Sequence, residues 1–266
     1  MHYKKTKTYN FFLKSKYLSL KYKNYFYVYD KLLEKYKNKN ITFVEIGIFS
    51  GGSLFMWKNF FGKKAKIIGI DLNPASKKFE KYGFKIVIGD QSKATFWKKF
   101  FSKYGKVDIV LDDGGHTNYQ QIITTNCCVP NIKDGGMLIT EDVHTSYIKD
   151  KWYNPSKYSY INYCKKLIDD INSRYPGLKC HDYSLNKHIY SIQNFESIVA
   201  FNINRKLCKI NSEIRNSKKS TDPKEFRSKL DSESFLYKIK KFFKVKTNFT
   251  YIVFLINSIK SSKFFK

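Results

Sequence analysis

The sequence lacks several features that mark particular classes of protein. No stretch of about 18 uncharged apolar residues occurs, so we expect no transmembrane helix. Residues 1–16 alternate lysines with aromatic residues and lack the apolar core of a signal peptide. The 5 cysteines form no C-x-x-C pair. We therefore expect reduced thiols in a cytoplasmic protein, with neither disulfides nor a zinc site.

Acidic residues are also scarce. The 266-residue chain has 22 Asp and Glu against 50 Lys and Arg, a formal net charge of +28. Clustered basic residues can neutralise nucleic-acid phosphates or attract a protein to an anionic membrane. No nucleic-acid-binding motif accompanies the charge, so nucleic acid is a disfavoured partner. The hydrophobic fraction of 42% and the aromatic fraction of 18% instead predict a folded core.

Short apolar runs rich in β-branched residues alternate with helical stretches along the chain. Near-continuous apolar runs are typical of strands buried on both faces, and their alternation with helices indicates a parallel sheet. The runs are 42–46, 66–70, 84–88, 107–111, 137–140, 189–193 and 198–202. The last two are consistent with a closing hairpin. We predict a doubly wound, mostly parallel, seven-stranded Rossmann-like α/β sheet with helices on both faces.

Composition divides the chain into three parts. Residues 1–40 form an N-terminal helical segment, with a helix over 25–36, and residues 41–205 form the sheet domain. Residues 206–266 form a basic, aromatic extension with 16 Lys and Arg and 5 Asp and Glu. The pattern of residues 235–246 predicts a basic amphipathic helix. Such a helix either packs on the domain or contacts an anionic membrane surface, and both interpretations stay open.

A glycine-rich turn follows the first predicted strand. The motif E-I-G-x-x-x-G-G-S runs from Glu45 to Ser53 and includes Gly47 and Gly51. Glycines here permit a tight strand-to-helix turn and close approach of a ligand to the backbone. Asp71 ends the second strand, where a carboxylate can accept two hydrogen bonds from a ribose diol. The spacing is not G-x-G-x-x-G, which disfavours a pyrophosphate-binding loop.

Acidic residues follow the fourth and fifth predicted strands. Asp112 and Asp113 begin the motif D-D-G-G-H, which ends at His116, and Glu141 and Asp142 follow the fifth strand. Ligands bind outside the carboxyl ends of such strands. We therefore expect Glu141 and Asp142 to lie close to Asp113, near His116. Three uncompensated carboxylates repel one another, and a divalent cation removes that cost. Oxygen ligands favour magnesium, with manganese or calcium as alternatives.

The glycine turn and the motifs after it resemble those of class I S-adenosylmethionine-dependent methyltransferases. G-I-D at the end of the second strand and G-D-Q-S after the third add to the resemblance. The resemblance implies that S-adenosylmethionine is held by Glu45, Gly47, Gly51, Ser53, Asp71, Asp90, Gln91 and Asp112. In that reading the first two residues line the methionine side and Asp71 holds the ribose. Asp90 and Gln91 lie near the adenine, and Asp112 lies near the sulfonium.

The pairing of D-D-G-G-H with E-D-V-H-T-S-Y is similar to the metal-dependent O-methyltransferases that modify the deoxysugars of macrolide antibiotics. This resemblance runs from about residue 19 to residue 205. It implies that Asp113, Glu141 and Asp142 are the metal ligands and that His116 is the general base. The N-terminal segment resembles the family's cofactor-covering segment but departs from its histidine-rich pattern. We therefore assign no firm role to Lys21, Lys23 or Tyr25.

Together these features predict an S-adenosylmethionine- and metal-dependent O-methyltransferase that acts on a sugar hydroxyl. The sugar would belong to a surface polysaccharide precursor, a nucleotide sugar or a glycosylated natural product. A bound metal lowers the pKa of the hydroxyl, and His116 takes its proton. Two alternatives stay open: methylation of a catechol-like small molecule, and a non-catalytic methyltransferase-fold protein that binds RNA or an anionic surface. Peripheral contact with the inner face of the membrane and homo-oligomerisation also stay open.

Overall fold

Seven strands form one sheet in the computed structural model of the chain, which describes residues 3–153, 155–178 and 185–219. The strands are β1 Thr42–Ile46, β2 Lys66–Asp71, β3 Lys85–Ile88, β4 Val107–Asp112, β5 Ile132–Thr140, β6 Ile189–Phe195 and β7 Ile198–Ile203. Their order in the sheet is β3-β2-β1-β4-β5-β7-β6. The first five are parallel, and β7 is antiparallel to both β5 and β6. The predicted sheet, including its closing hairpin, is confirmed.

The fifth strand is longer than the sequence indicated. It begins at Ile132, whereas the apolar run began at Met137. Residues 133–135 are exposed and carry charge or glycine, so the first half of the strand has no apolar pattern. A register shift between Val107 and Ile109 of β4 accompanies this half.

Six α-helices are present among the described residues. They are α1 Lys7–Leu13, α2 Lys23–Leu33, α3 Gly52–Phe61, α4 Ala94–Tyr104, α5 Asn118–Cys128 and α6 Tyr160–Asn172. The helix predicted over 25–36 corresponds to α2 and the 3-10 turn that follows it. The 3-10 turns are Tyr3–Lys5, Glu34–Tyr36, Pro74–Tyr82, Val129–Asn131, Val143–Tyr147 and Arg205–Leu207.

Both faces of the sheet are buried, each under its own hydrophobic core. Phe43 of β1 packs with α2 and α3, including Trp57, whereas Val44 packs on the opposite face with Trp97 and the other residues of α4 to α6. Successive side chains of a strand point to opposite faces, so a strand covered on both sides is apolar over most of its length. This packing explains the continuous apolar runs and confirms helices on both faces of the sheet.

The N-terminal segment is anchored on the sheet domain. Thr8 of α1 donates a hydrogen bond from Oγ1 to Asp30 Oδ1 in α2 at 2.7 Å. Residues 14–22 join these helices and lie against the glycine turn, where Gly52 N donates to Leu18 O at 3.2 Å. The connecting residues thereby form a wall above the carboxyl ends of the parallel strands.

The chain separates into two units, residues 1–212 and 213–266. Of the second unit only 213–219 are described, and they contain neither helix nor strand. The amphipathic helix predicted over 235–246 lies outside the described residues, and the predicted boundaries at residues 40 and 205 stay predictions. None of the described helices is long and apolar enough to cross a membrane. Cysteines 127, 128, 164 and 208 are free thiols.

Candidate active site at the carboxyl ends of the strands

An acidic cluster forms where β4 and β5 end side by side. Asp113 follows β4 and Asp142 follows β5, with Asp112 and Thr140 paired across the two strands. His116 and Asp142 both have left-handed backbones, with φ of 57° and 55°. Such strain in non-glycine residues persists only where the surrounding structure fixes it. These turns bring His116 Nε2 to 3.4 Å from Asp142 Oδ2 and 3.9 Å from Asp113 Oδ1.

Two of the three predicted metal ligands lie close enough, together with the predicted general base, to hold a divalent cation. Asp113, His116 and Asp142 each offer one ligand atom, and these atoms lie within 4.8 Å of one another. We call these three residues the outer cluster. His116 Nδ1 is buried and has no hydrogen-bond partner among the described residues, so Nε2 is the ring atom that faces the carboxylates. Two carboxylates near an open cavity suit a hard cation such as magnesium.

The third predicted ligand, Glu141, is held differently. Tyr29 donates its hydroxyl to Glu141 Oε1 at 2.5 Å, and Lys21 Nζ donates to Oε2 at 2.9 Å. Lys21 also donates to Asp113 Oδ2 at 2.5 Å. Burial raises the pKa of Glu141, while the Lys21 ammonium opposes that effect. Both oxygens of Glu141 therefore have internal donors, and its role as a metal ligand stays a prediction.

The charge of Lys21 is stabilised by the carboxylates around it. Its side chain is only 1% exposed, and burial by itself lowers the pKa of an ammonium. Attraction by Asp113 and Glu141 outweighs burial, and the net effect raises the pKa of Lys21. The carboxylates therefore favour the charged form of the lysine.

Three residues of the N-terminal segment complete the site, and none of them had a role that could be predicted from the motifs. Besides Lys21 and Tyr29, Tyr25 donates its hydroxyl to Asp142 Oδ1 at 2.5 Å and to Ser197 Oγ at 2.9 Å. The two tyrosines lie one turn apart on α2, a spacing that is also typical of core aromatics. Lys21 is one of 50 basic residues. No sequence signal separated these residues from their neighbours.

The glycine turn packs directly against the acidic loop. Gly47 has a φ of +79°, and a Cβ there would lie 2.1 Å from the carbonyl oxygen of Asp113. A side chain would therefore separate the turn from the acidic cluster. Gly51 has a φ of +82°, and a Cβ there would lie 2.3 Å from the ring of Phe79. Both glycines are thus required by the fold of the turn.

Glu45 lies beneath this turn. Its carboxylate accepts hydrogen bonds from Ser53 Oγ and Trp57 Nε1, each at 2.9 Å. Burial raises the pKa of Glu45 to about 7. Ser53 lines the main cavity, which opens above the acidic cluster, whereas Glu45 lines neither that cavity nor the narrow one beside the turn. Glu45 therefore joins β1 to α3, and its predicted contact with the cofactor stays a prediction.

Asp71 and Gln91 line a narrow cavity of about 170 Å³ beside the glycine turn. Asp71 Oδ2 accepts from Ile48 N at 3.1 Å, which ties the end of β2 to the turn after β1. Gln91 Oε1 accepts from Gly115 N at 2.9 Å. This cavity has the position predicted for the ribose and adenine, between the ends of β1, β2 and β3.

The two other predicted cofactor residues have internal partners. Asp112 Oδ1 accepts from Gln91 Nε2 at 2.9 Å, and burial raises the pKa of Asp112 to about 6. Asp90 Oδ1 accepts from Ser92 Oγ at 2.7 Å, a hydrogen bond that lowers the pKa of Asp90. These contacts shape the loops around the narrow cavity.

A larger cavity of about 580 Å³ opens above the acidic cluster. The residues that join α1 and α2 form one wall with Leu18, Leu20 and Tyr22, and the opposite wall includes Gly47 and His116. The glycine turn and the outer cluster thus share one opening. This arrangement can hold two substrates with their reacting groups next to His116.

Curated relatives are similar in sequence to part of the chain, whereas no protein-family profile matches it. Mycinamicin VI 2''-O-methyltransferase from Micromonospora griseorubida is 33% identical over 126 residues, covering 45% of this chain and 31% of the relative. Demethylmacrocin O-methyltransferase from Streptomyces fradiae is 33% identical over 154 residues, covering 54% of this chain and 38% of the relative. The matches thus span only about a third of the length of these relatives.

A solved structure shares the fold. The MycE methyltransferase from the mycinamycin biosynthetic pathway, in complex with Mg and SAH, matches with a TM-score of 0.62 at 24% identity. The match covers 79% of this chain and 55% of that chain. The predicted methyltransferase fold is therefore confirmed. The chain has the fold of a class I S-adenosylmethionine-dependent methyltransferase, and over about half of its length its sequence is similar to macrolide sugar O-methyltransferases.

Proposed function

We propose that the protein is an S-adenosylmethionine- and divalent-metal-dependent O-methyltransferase that acts on a sugar hydroxyl. The observation that carries this proposal is the position of the outer cluster, which opens onto the same cavity as the glycine turn. A general base, two carboxylates and a donor-binding edge then lie within reach of one acceptor. A non-catalytic protein of this fold would not need that convergence.

The methyl donor, the acceptor and the metal occupy separate parts of the proposed site. The methyl donor lies along the edge formed by Gly47, Asp71 and Gln91, and the acceptor lies under the wall formed by residues 18–22. Asp113 and Asp142 hold the metal. When bound, a divalent ion supplies positive charge that lowers the pKa of a nearby hydroxyl. The donor is a cytoplasmic metabolite, so we place the reaction in the cytoplasm.

His116 is the general base of the proposed reaction. Its Nε2 faces both carboxylates of the outer cluster and accepts the proton of the acceptor hydroxyl. Thr145 donates from Oγ1 to the carbonyl oxygen of His116 at 2.8 Å, which fixes the loop that carries the ring. The negative charges of Asp113 and Asp142 stabilise the ring after it takes the proton.

A sugar is the acceptor class that the site and the relatives favour together. Relatives of this chain are named for O-methylation of a rhamnosyl tetracenomycin, an olivosyl-oleandolide and mycinamicin VI. Leu18, Leu20 and Tyr22 are exposed on the wall of the main cavity, where they can pack against the apolar face of a sugar ring. The sugar would belong to a glycosylated natural product, a nucleotide sugar or a polysaccharide precursor.

The test is transfer of a labelled methyl group from S-adenosylmethionine to nucleotide sugars and glycosylated macrolactones, with magnesium and with EDTA. We expect turnover with magnesium and none with EDTA. His116→Ala should lower the rate by roughly 10²–10⁴-fold, the usual contribution of a general base. Turnover that is undiminished in EDTA would reject the metal. Donor binding without turnover on any acceptor would favour the non-catalytic alternative.

The matched control is His188→Asn at the opposite edge of the sheet. His188 precedes β6, next to the start of β5, and its Nδ1 accepts from Arg205 Nε at 2.9 Å. The asparagine amide oxygen can accept the same hydrogen bond. An equal loss of activity in both variants would show that His116 acts through stability alone.

A further inference from the structure

A lysine ammonium lies between two carboxylates at the centre of the site. Lys21 Nζ is 2.5 Å from Asp113 Oδ2 and 2.9 Å from Glu141 Oε2. Its side chain and that of Glu141 are each only 1% exposed. The three groups form an inner ion-pair cluster, which shares Asp113 with the outer cluster.

Both carboxylate oxygens of Glu141 accept hydrogen bonds within the inner cluster. Tyr29 holds one oxygen and Lys21 holds the other. Asp113 belongs to both clusters, because its Oδ2 accepts from Lys21 and its Oδ1 lies 3.9 Å from His116 Nε2. A cation that approaches from the main cavity therefore meets Asp113 Oδ1 and Asp142 Oδ2 before it meets Glu141.

Repulsion between charges is a second reason for a divalent cation to stay out of the inner cluster. An ammonium and a divalent cation repel each other, and the repulsion is large where both are shielded from water. The buried ammonium cannot move away freely, because three of its neighbours, Asp113, Glu141 and the ring of Tyr29, enclose it. A divalent ion between Asp113 Oδ2 and Glu141 would have to displace Lys21.

We propose that Lys21 is a built-in cation that occupies the inner cluster and restricts a divalent ion to the outer carboxylates, Asp113 and Asp142. This inference rests on the proposed function, which requires a metal at the site. It departs from a three-carboxylate metal site, because Glu141 becomes the partner of Lys21. Magnesium is commonly bound through one or two carboxylates, with water and substrate completing its coordination, so the outer carboxylates suffice.

The test measures Mn²⁺ binding directly, from the loss of the electron paramagnetic resonance signal of free Mn²⁺. The full-length protein is compared with Lys21→Met, with Glu141→Gln and with the double variant. Lys21→Met removes the repelling charge and frees Glu141, so it should bind Mn²⁺ at least about tenfold more tightly. Lys23→Met removes a charge two residues away, from an ammonium that lies over the ring of Tyr3, and controls for net charge.

The double variant distinguishes long-range charge from direct ligation. If Lys21 keeps Glu141 from the metal, Glu141→Gln should weaken Mn²⁺ binding at least about tenfold more in the Lys21→Met background than in the natural chain. An equal loss in both backgrounds, or no gain from Lys21→Met, overturns the inference while leaving the proposed metal in place. Absence of Mn²⁺ binding in every variant overturns both.

A second substitution protects the test against misfolding. Lys21→Met removes one hydrogen-bond donor from buried Glu141 and one from Asp113, and circular dichroism will show whether the variant folds. Lys21→Gln keeps a hydrogen-bond donor and removes the charge, and it should show the same gain in Mn²⁺ affinity. If Lys21→Met binds Mn²⁺ tightly but Lys21→Gln does not, the charge of Lys21 has a stabilising role in the fold. That result would contradict the inference.

Discussion

Replacing Glu45 with glutamine should make the stability of the protein less dependent on pH. The Glu45 carboxyl is fully buried beneath the glycine turn and accepts from Ser53 and Trp57. Its pKa is about 7 in the folded protein against 4.5 ordinarily. A glutamine can keep both contacts, since its oxygen accepts from the Trp57 indole and its amide donates to the Ser53 hydroxyl.

The size and sign of the effect follow from these two pKa values. Between pH 4.5 and 7 the folded protein holds a proton that the unfolded chain has lost. The free energy of unfolding therefore falls as pH rises through this window. Each pKa unit corresponds to about 1.4 kcal/mol, so ionised Glu45 costs the folded state about 3 kcal/mol above pH 7. The glutamine variant does not have this cost.

Urea unfolding followed by circular dichroism from pH 4.5 to pH 8 measures the difference. We expect the free energy of unfolding to fall by about 3 kcal/mol more in the natural chain than in Glu45→Gln across this range. Glu80→Gln is the matched control, because Glu80 is exposed beside Lys77 and its pKa is lowered. A difference between Glu45→Gln and the natural chain that stays constant with pH would refute the reasoning.

Two further substitutions test the packing of the site. Tyr29→Phe removes the hydroxyl that donates to buried Glu141, a hydrogen bond worth about 1.5–3 kcal/mol, so calorimetry should show a fall in Tm of about 3–12 °C. Tyr27→Phe, on the exposed face of the same helix, should leave Tm unchanged, and an equal Tm in all three proteins would contradict the assignment. Gly114→Ala places a Cβ 1.9 Å from Gln91 Oε1. It should weaken S-adenosylmethionine binding at least about tenfold by titration calorimetry, and unchanged affinity would exclude that edge as the donor site.

The fold could be predicted because each strand is buried on both sides. A strand such as β4 has the apolar residues Ile109 and Val110 on opposite faces, each in a different core, so its pattern is continuous and easy to recognise. The first half of β5 escaped prediction for the opposite reason. Its exposed residues, including Lys133 and Asp134, lie where the register between β4 and β5 shifts, and they offer no apolar side chain to the core.

The same contrast holds within the site. Asp113, His116 and Asp142 could be predicted because each follows the end of a strand, and parallel strands end at one edge of the sheet. Lys21 and Tyr25 reach the site from a segment distant in sequence, and their positions depend on how α1 and α2 pack on the sheet. Only the tertiary structure brings that segment to the carboxylates.

Lys21, one of the many basic residues of this positively charged chain, is the counter-cation of its acidic site. Carboxylates gathered in a poorly solvated site need a counter-cation, and a cation carried on the chain is present at high effective concentration. Asp113 and Glu141 bind such a cation, and its backbone belongs to the wall of the main cavity. The ion pairs therefore hold the wall over the sheet as well as neutralising the carboxylates. A change at either carboxylate should alter the position of the wall, and a change at Asp113 should alter metal binding as well, because Asp113 belongs to both clusters.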